Sequence, residues 1–372
     1  MFEAARHIRP RVREMAPYEP ILPLEVLSRQ LGLPPESIVK LDANENPYGP
    51  LPNVSEKLAG LPYAHIYPDP ESRELRQALA SYHDVAFDNV LASAGADELI
   101  DLIMRLFLDP GDAILNCPPT FGMYAFDADI NGARVLSVRR KSDFSLDLEA
   151  LEDVIRAQRP KLLFLASPNN PDGAVLPRDA LQRLLDLPIV VILDEAYVEF
   201  APRDASRIGE VSARENLIVL RTFSKWAGLA GLRVGYGVFP DSLMPHLWKI
   251  KQPYNVSVAA STAAIASLQH VHELERTAQA IKAERQRLYE ALQEVPWLEP
   301  YPSQANFVLC RVAGGSDKAA ALKASLALEG ILIRYFDKPG LSDHIRISVG
   351  KPEHTDALLA KLCEWGDKNA YR

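Results

Sequence analysis

Lys225 is the residue in this chain best placed for covalent chemistry. It lies in RTFSKWAGLAGLRVGYG (221–237), among small, apolar and glycine residues. Because it follows an apolar run, desolvation is expected to lower its pKa and free the amine to attack a carbonyl carbon. Arg233, farther along the same stretch, pushes the same way and can fork onto a phosphate. Thr222 and Ser224 add hydroxyl donors for an anion, and the small residues from Ala227 to Gly231 allow close backbone approach. Taken alone, the segment also reads as a loop with an exposed lysine.

Other clusters carry complementary chemistry. In ILDEAY, Asp194 stands where an apolar run opens into polar residues, with Tyr197 shortly after it. A carboxylate there is costly without a metal, a cation or a hydrogen-bond donor. Glu195, next in an extended run, points to the opposite side, and no His or second acid lies at ligand spacing. A protonated ring nitrogen is the better partner, and a helix-capping role is the bland alternative. SPNNPDG is rich in turn formers, and either Asn169 or Asn170 could offer an amide to a ligand oxygen. In SAGADELIDLIMRLF a glycine turn leads into an amphipathic helix whose first free N–H groups, near Ala96 and Asp97, can hold a phosphate. No GK[ST] or GxGxxG is present, which argues against a nucleoside triphosphate or a dinucleotide.

These clusters sit at the ends of short runs apolar on both parities: 113–120, 161–171, 188–197 and 216–225. Such runs read as strands buried on both faces of a parallel sheet. Helical patterns such as DLEALEDVIRAQ and PRDALQRLLDL alternate with them, which predicts a doubly wound α/β fold. Ligands of such sheets lie beyond the carboxyl ends of the strands, so the polar clusters should meet in one crevice. Residues 257–295 read as a long helical stretch with one break, leading to a smaller α+β unit. The expected organisation is an arm and part of the small unit over 1–60, the large α/β unit over 61–265, and the small C-terminal unit over 266–372. The proline-dense arm is expected to be extended and to pack across the small unit.

The 372 residues carry a formal net charge of −8, with 48% hydrophobic and 24% charged residues. That balance disfavours nucleic acid and anionic membranes as partners and leaves small molecules. The charged N-terminal segment lacks the apolar core of a signal peptide and no stretch is long enough to span a bilayer, so a cytoplasmic address is expected. Cys117, Cys310 and Cys363 are widely spaced and indicate neither a disulfide framework nor a zinc site.

A reactive lysine, a phosphate cup with an arginine, an aspartate for a ring nitrogen, and Tyr with Asn for a phenolic oxygen form the set of groups that holds pyridoxal 5'-phosphate. With these pieces in order, the sequence resembles the fold-type I pyridoxal-phosphate enzymes, and within them the histidinol-phosphate aminotransferases. The resemblance runs through LDANENPYGP, YPDP, GADELIDLIMRLF, CPPTFGMY, SPNNPDG, DEAYVEF, RTFSKWAGLAGLRVGYG, GILIRYF and LSDHIRISVG. It implies that Lys225 bonds to the cofactor, Asp194 pairs with the pyridine nitrogen, Asn170 and Tyr197 contact the phenolic oxygen, and Phe121 stacks on the ring. Ala96, Asp97, Thr222, Ser224 and Arg233 would hold the phosphate, with Tyr67 reaching in from a second subunit. Arg334 and Arg346 match the substrate-anion arginines, and Tyr18 and Asn44 the N-terminal substrate side. The implied assembly is a homodimer with a shared active site.

The implied reaction moves an amino group from L-histidinol phosphate to 2-oxoglutarate. Alternatives are an aromatic amino acid aminotransferase, a phosphothreonine-type decarboxylase of the same fold, or a cofactor-binding regulator without turnover. The sequence departs from the family pattern at Phe121 (usually Tyr), at Asp172 (usually Thr) and at Trp226-Ala227 (usually Ala-Phe). Trp226, beside the lysine, is expected to bear on substrate choice.

Overall fold

The structure is a computed structural model that describes residues 3–17 and 22–368. Its strands in chain order are β1 (Val39–Leu41), β2 (Val90–Ser93), β3 (Ala113–Asn116), β4 (Arg134–Ser137), β5 (Leu162–Ala166), β6 (Val190–Asp194), β7 (Leu217–Thr222), β8 (Gly235–Val238), β9 (Leu298–Pro300), β10 (Phe307–Val312), β11 (Ile331–Tyr335) and β12 (His344–Ser348). Seven of them form one sheet in the order β2-β8-β7-β6-β5-β3-β4. The β7-β6-β5-β3-β4 run is parallel, and β8 is antiparallel to both neighbours. The result is a mixed α/β fold built on a mostly parallel, doubly wound sheet.

The two-sided burial expected of the apolar runs is visible residue by residue. Leu163, Leu165, Val191, Leu193, Leu217 and Val219 pack into the core on one face. Their alternates Leu162, Phe164, Ile192, Ile218 and Leu220 pack into the core on the other. Because successive side chains leave a strand on opposite faces, only runs apolar at both parities can be buried this way. Each such side chain contributes roughly 1.5–3 kcal/mol of burial. Helices Ala96–Phe107, Leu148–Gln158 and Arg178–Leu185 cover the faces, and Asp147 caps the second by accepting from the Ala150 N–H at 3.2 Å.

The second sheet has the order β1-β11-β12-β10-β9, with β1 parallel to β11 and the other pairings antiparallel. The long helical stretch breaks at 269–270 into Val258–Leu268 and Val271–Gln293. The arm differs from expectation. It holds helices Pro10–Glu14, Leu24–Leu31 and Pro52–Ala59, because Pro10 and Pro52 sit at first helical positions, where a missing N–H costs nothing. Its β1 does join the small sheet, but Arg11 docks the first helix onto the large unit, donating to Asp129 at 2.5 Å and to the Ala133 carbonyl at 2.6 Å.

Candidate active site

Strands β5, β6 and β7 end side by side, with Ala166 paired to Asp194 and Asp194 to Leu220. Beyond these ends lies a cavity whose lining includes Ala96, Phe121, Asn170, Tyr197, Ser224 and Lys225. Asp97, Asp194, Thr222 and Arg233 complete the predicted inner set around the same cavity. Lys225 follows the end of β7, in the loop, and its Nζ donates to the Ala43 carbonyl at 3.2 Å. Burial pushes its pKa down to about 8; the Arg346 and Arg233 charges act in the same direction, while Glu45 and Asp97 oppose them. A substantial share of the lysine is therefore neutral near pH 8.

Asp194 is buried at the floor of the cavity. Burial raises its pKa to about 6, against the opposing hydrogen bonds from the Tyr124 hydroxyl at 2.7 Å and the Ala196 N–H at 3.0 Å. Among the described residues no cation lies within ion-pair distance of it. Tyr124, itself fully buried with its phenol held well above the usual range, is a proton donor here. Sequence reasoning passed over it. Its one signal was its place one helical turn beyond Phe121, against whose ring it packs edge-on at 5.6 Å.

The anion cup is formed where the turn before helix Ala96–Phe107 meets the loop after β7. Gly95 has φ +94°, a conformation that favours glycine, and a Cβ there would lie 2.6 Å from Arg233 Nη2 and push the guanidinium from its place. Arg233 donates to Ser224 Oγ at 3.4 Å and to Asp97 at 3.2 Å, and the Thr222 hydroxyl donates to Ser224 Oγ at 2.9 Å. Hydroxyls, guanidinium and the start of the helix thus line the same cavity.

An outer cavity continues from this one past Asn44, Asn170, Tyr197, Arg334 and Arg346. Arg334 and Arg346 are directly opposed on β11 and β12. Like charges in that register repel. Arg346 donates to Asn170 Oδ1 at 2.5 Å and to the Asp42 carbonyl at 2.7 Å. The two asparagines left open by the sequence separate clearly. Asn169 is wholly buried and spent on Thr120, Pro119 and Asp172, whereas Asn170 lines both cavities. Asn44 donates from Nδ2 to the Tyr197 hydroxyl at 3.1 Å and accepts from Ser348 at 2.9 Å, so its side chain holds Tyr197 in place.

Two residues lie elsewhere. Tyr67 is 78% exposed and stacks on Tyr254, outside both cavities of its own chain. Tyr18 lies outside the described residues. Trp226 overturns the expectation placed on it: its ring is buried between Tyr82 and Phe223 and lines a separate cavity with Glu199 and Arg221. Asp172, at the other departure, is buried in its turn and accepts from the Ala174 N–H at 3.0 Å. Among the described residues no group of His, Cys, Asp or Glu could hold a metal ion, and no helix is long and apolar enough to cross a membrane.

Residues 36–365 match the family description "Aminotransferase class I and II". The chain is 57% identical over 355 residues to the chloroplastic histidinol-phosphate aminotransferase of Nicotiana plumbaginifolia, covering 95% of this chain and 86% of that protein. It is 53% identical over 363 residues to the histidinol-phosphate aminotransferase of Roseiflexus castenholzii, covering 96% and 97%. A solved histidinol-phosphate aminotransferase from Sinorhizobium meliloti, in complex with pyridoxal-5'-phosphate, superposes with a TM-score of 0.87 at 31% identity, covering 95% of this chain and 96% of that one.

Proposed function

The chain belongs to the class I and II aminotransferases, and from that premise we propose that it exchanges an amino group between L-histidinol phosphate and 2-oxoglutarate, with pyridoxal 5'-phosphate as cofactor. One observation carries the reading. A lysine with a depressed pKa, a buried carboxylate without a cation and a glycine-cradled arginine cup face the same cavity. The donor set fits a phosphorylated pyridine aldehyde. Asp194 suits a protonated ring nitrogen, and the space a Cβ at Gly95 would fill is taken by the guanidinium of Arg233, which suits the phosphate.

When bound, that cofactor supplies an aldehyde that links to amines and a cationic ring that draws off electrons as the substrate's C–H bond breaks. The protein residues do the rest. Lys225 would be the amine that holds the aldehyde, and in its neutral form it is suited to take up and return the substrate's proton. Asp194, oriented by Tyr124, would pair with the ring nitrogen and favour its protonated form. Tyr197, steadied by Asn44, and the amide nitrogen of Asn170 would be the donors for the phenolic oxygen, and Phe121 would supply an apolar face for the ring. The N–H groups at Ala96 and Asp97, the hydroxyls of Thr222 and Ser224, and Arg233 hold the phosphate. Arg334 and Arg346 take the substrate's anionic group, phosphate in one half reaction and carboxylate in the other, and Tyr18 belongs to the same side. Two half reactions at one site give ping-pong kinetics.

The working unit in this reading is a homodimer with shared sites. Tyr63, Ile66, Tyr67 and Tyr254 form an exposed, largely aromatic patch, with Tyr63 at 68% and Tyr67 at 78% exposure. A second copy would cover it and receive Tyr67 at its phosphate cup. The test is kcat/KM for L-histidinol phosphate against L-phenylalanine, each with 2-oxoglutarate. A clear preference for histidinol phosphate is expected. A preference for phenylalanine, release of carbon dioxide, or no half reaction at all would each replace the reading.

A further inference from the structure

The outer cavity has an electrostatic peculiarity at its mouth. Its lining carries Arg139, Lys225, Arg334, Lys338 and Arg346 and not one carboxylate, in a chain whose net charge is −8. The inner cavity, by contrast, is lined by Glu45, Asp97 and Asp194 as well as by cations. Arg334 and Arg346 sit deep on paired strands, whereas Arg139 and Lys338 are exposed and hold the rim.

These two come from opposite sides of the cleft and cross it. Arg139, on the loop after β4 of the large sheet, donates to the Pro339 carbonyl of the loop after β11, at 3.5 Å. Lys338, from that β11 loop, lays its Nζ against the segment that follows β3, 3.7 Å from where a Cβ on Gly122 would stand. Among the described residues neither one meets a carboxylate within 4.0 Å, and the cavity lining around them offers none. An exposed cation normally gains by sitting near an acid, so two left bare over a concave mouth concentrate positive potential where a ligand enters.

We propose that Arg139 and Lys338 form an outer anion-capture subsite that draws phosphate monoesters and dicarboxylates to the cleft and passes them inward to Arg334 and Arg346. The inference rests on the proposed reaction for its ligands but not for its physics. Both substrates of that reaction carry a dianionic or dicarboxylate character, and an uncharged-tail amino acid would gain nothing from the rim. Because Lys338 and Arg139 are exposed, their role is in association, where field strength sets the rate and dissolved salt erases it.

The experiment measures kcat/KM of the holoenzyme for 2-oxoglutarate and for L-histidinol phosphate across a range of ionic strength, in wild type, Lys338→Gln, Arg139→Gln and Lys338→Arg. At low ionic strength each Gln variant should lose roughly three- to ten-fold, the loss should fade at high salt, and Lys338→Arg should restore the wild-type curve. Inorganic phosphate, used as a competitive inhibitor against 2-oxoglutarate, should bind the Gln variants more weakly by a similar factor. Wild-type values and an unchanged salt slope in both Gln variants would overturn the subsite. A salt-independent loss would also overturn it, since that marks a structural defect. If histidinol phosphate is not turned over but 2-oxoglutarate still follows the expected salt pattern, the proposed amino donor fails and the subsite stands.

Discussion

Asp194 and Glu195 are neighbours in the chain and both are buried, yet they meet opposite surroundings. Asp194 faces the cavity with two hydrogen bonds and no cation, and burial lifts its pKa to about 6. Glu195 faces away, where Arg221 Nε donates to it at 2.8 Å, Ser206 at 2.9 Å and the Arg207 N–H at 2.6 Å. Glu199 closes this second cluster by accepting from Arg221 Nη1 at 2.8 Å. Burial alone would lower the Arg221 pKa, but the two carboxylates outweigh it and hold the guanidinium above its usual range. The same division separates Lys225 from Trp226. One side of the strand ends pairs its carboxylates with a buried arginine, although burial still lifts the Glu199 pKa to about 6 and leaves one of its oxygens without a hydrogen-bond partner. The other holds a carboxylate with no ion-paired cation among the described residues, which is the condition of a site awaiting a ligand.

The strongest way to break this contrast is Arg221→Met. It strands Glu195 and Glu199 without their cation, and the expected cost is about 3–5 kcal/mol in urea unfolding. A cost near zero would mean that the cluster is not the structural half of the pair.

Asp194→Asn should do the reverse in cofactor-free protein, raising stability at pH 7–8 by about 1–3 kcal/mol while lowering kcat by roughly 10²–10³-fold. The sign follows from the raised pKa. Between the ordinary carboxylate range and pH 6 the folded protein binds more protons than the unfolded chain, so stability falls as pH rises through that window. The penalty is then fully present above it. The Asn variant should show a shallower slope in thermal melts taken from pH 4 to 7, the remainder coming from Glu199 and Asp127, whose pKa values burial lifts to about 6 and about 7; a slope identical to wild type would assign all of it to such other groups.

The smallest effect is expected at Trp226→Phe. With the ring turned away from Lys225, the ratio of kcat/KM for histidinol phosphate and phenylalanine should stay within about two-fold of wild type, since only packing changes. A reversed preference would return Trp226 to the substrate side.

Much of this was legible in the chain. The runs ending at Ala166, Asp194 and Thr222 were apolar at both parities, and that pattern admits little but a sheet covered on both faces. Lys225, Asp194 and Arg233 stood out because charges beside buried strands need a reason. Other positions were not legible. Tyr124 carries no local mark of its bond to Asp194, which depends on a helix packed against β3 and β4 bringing its side chain to the end of β6. The arm was misjudged because proline was weighed as a breaker, while Pro10 and Pro52 begin helices. Trp226 was judged by its distance along the chain from Lys225, which says nothing about the direction of a side chain in an irregular loop.

By itself the sequence determined the strands and helices of the large sheet, its two buried faces and which groups are candidates for the chemistry, because periodicity and desolvation are properties of short segments. Only the tertiary structure decided which of Asn169 and Asn170 faces the cavity, which acid finds an arginine, and that Arg139 and Lys338 meet over one mouth. Those outcomes depend on contacts between residues far apart in sequence, such as Arg139 with Pro339, and no local pattern encodes them.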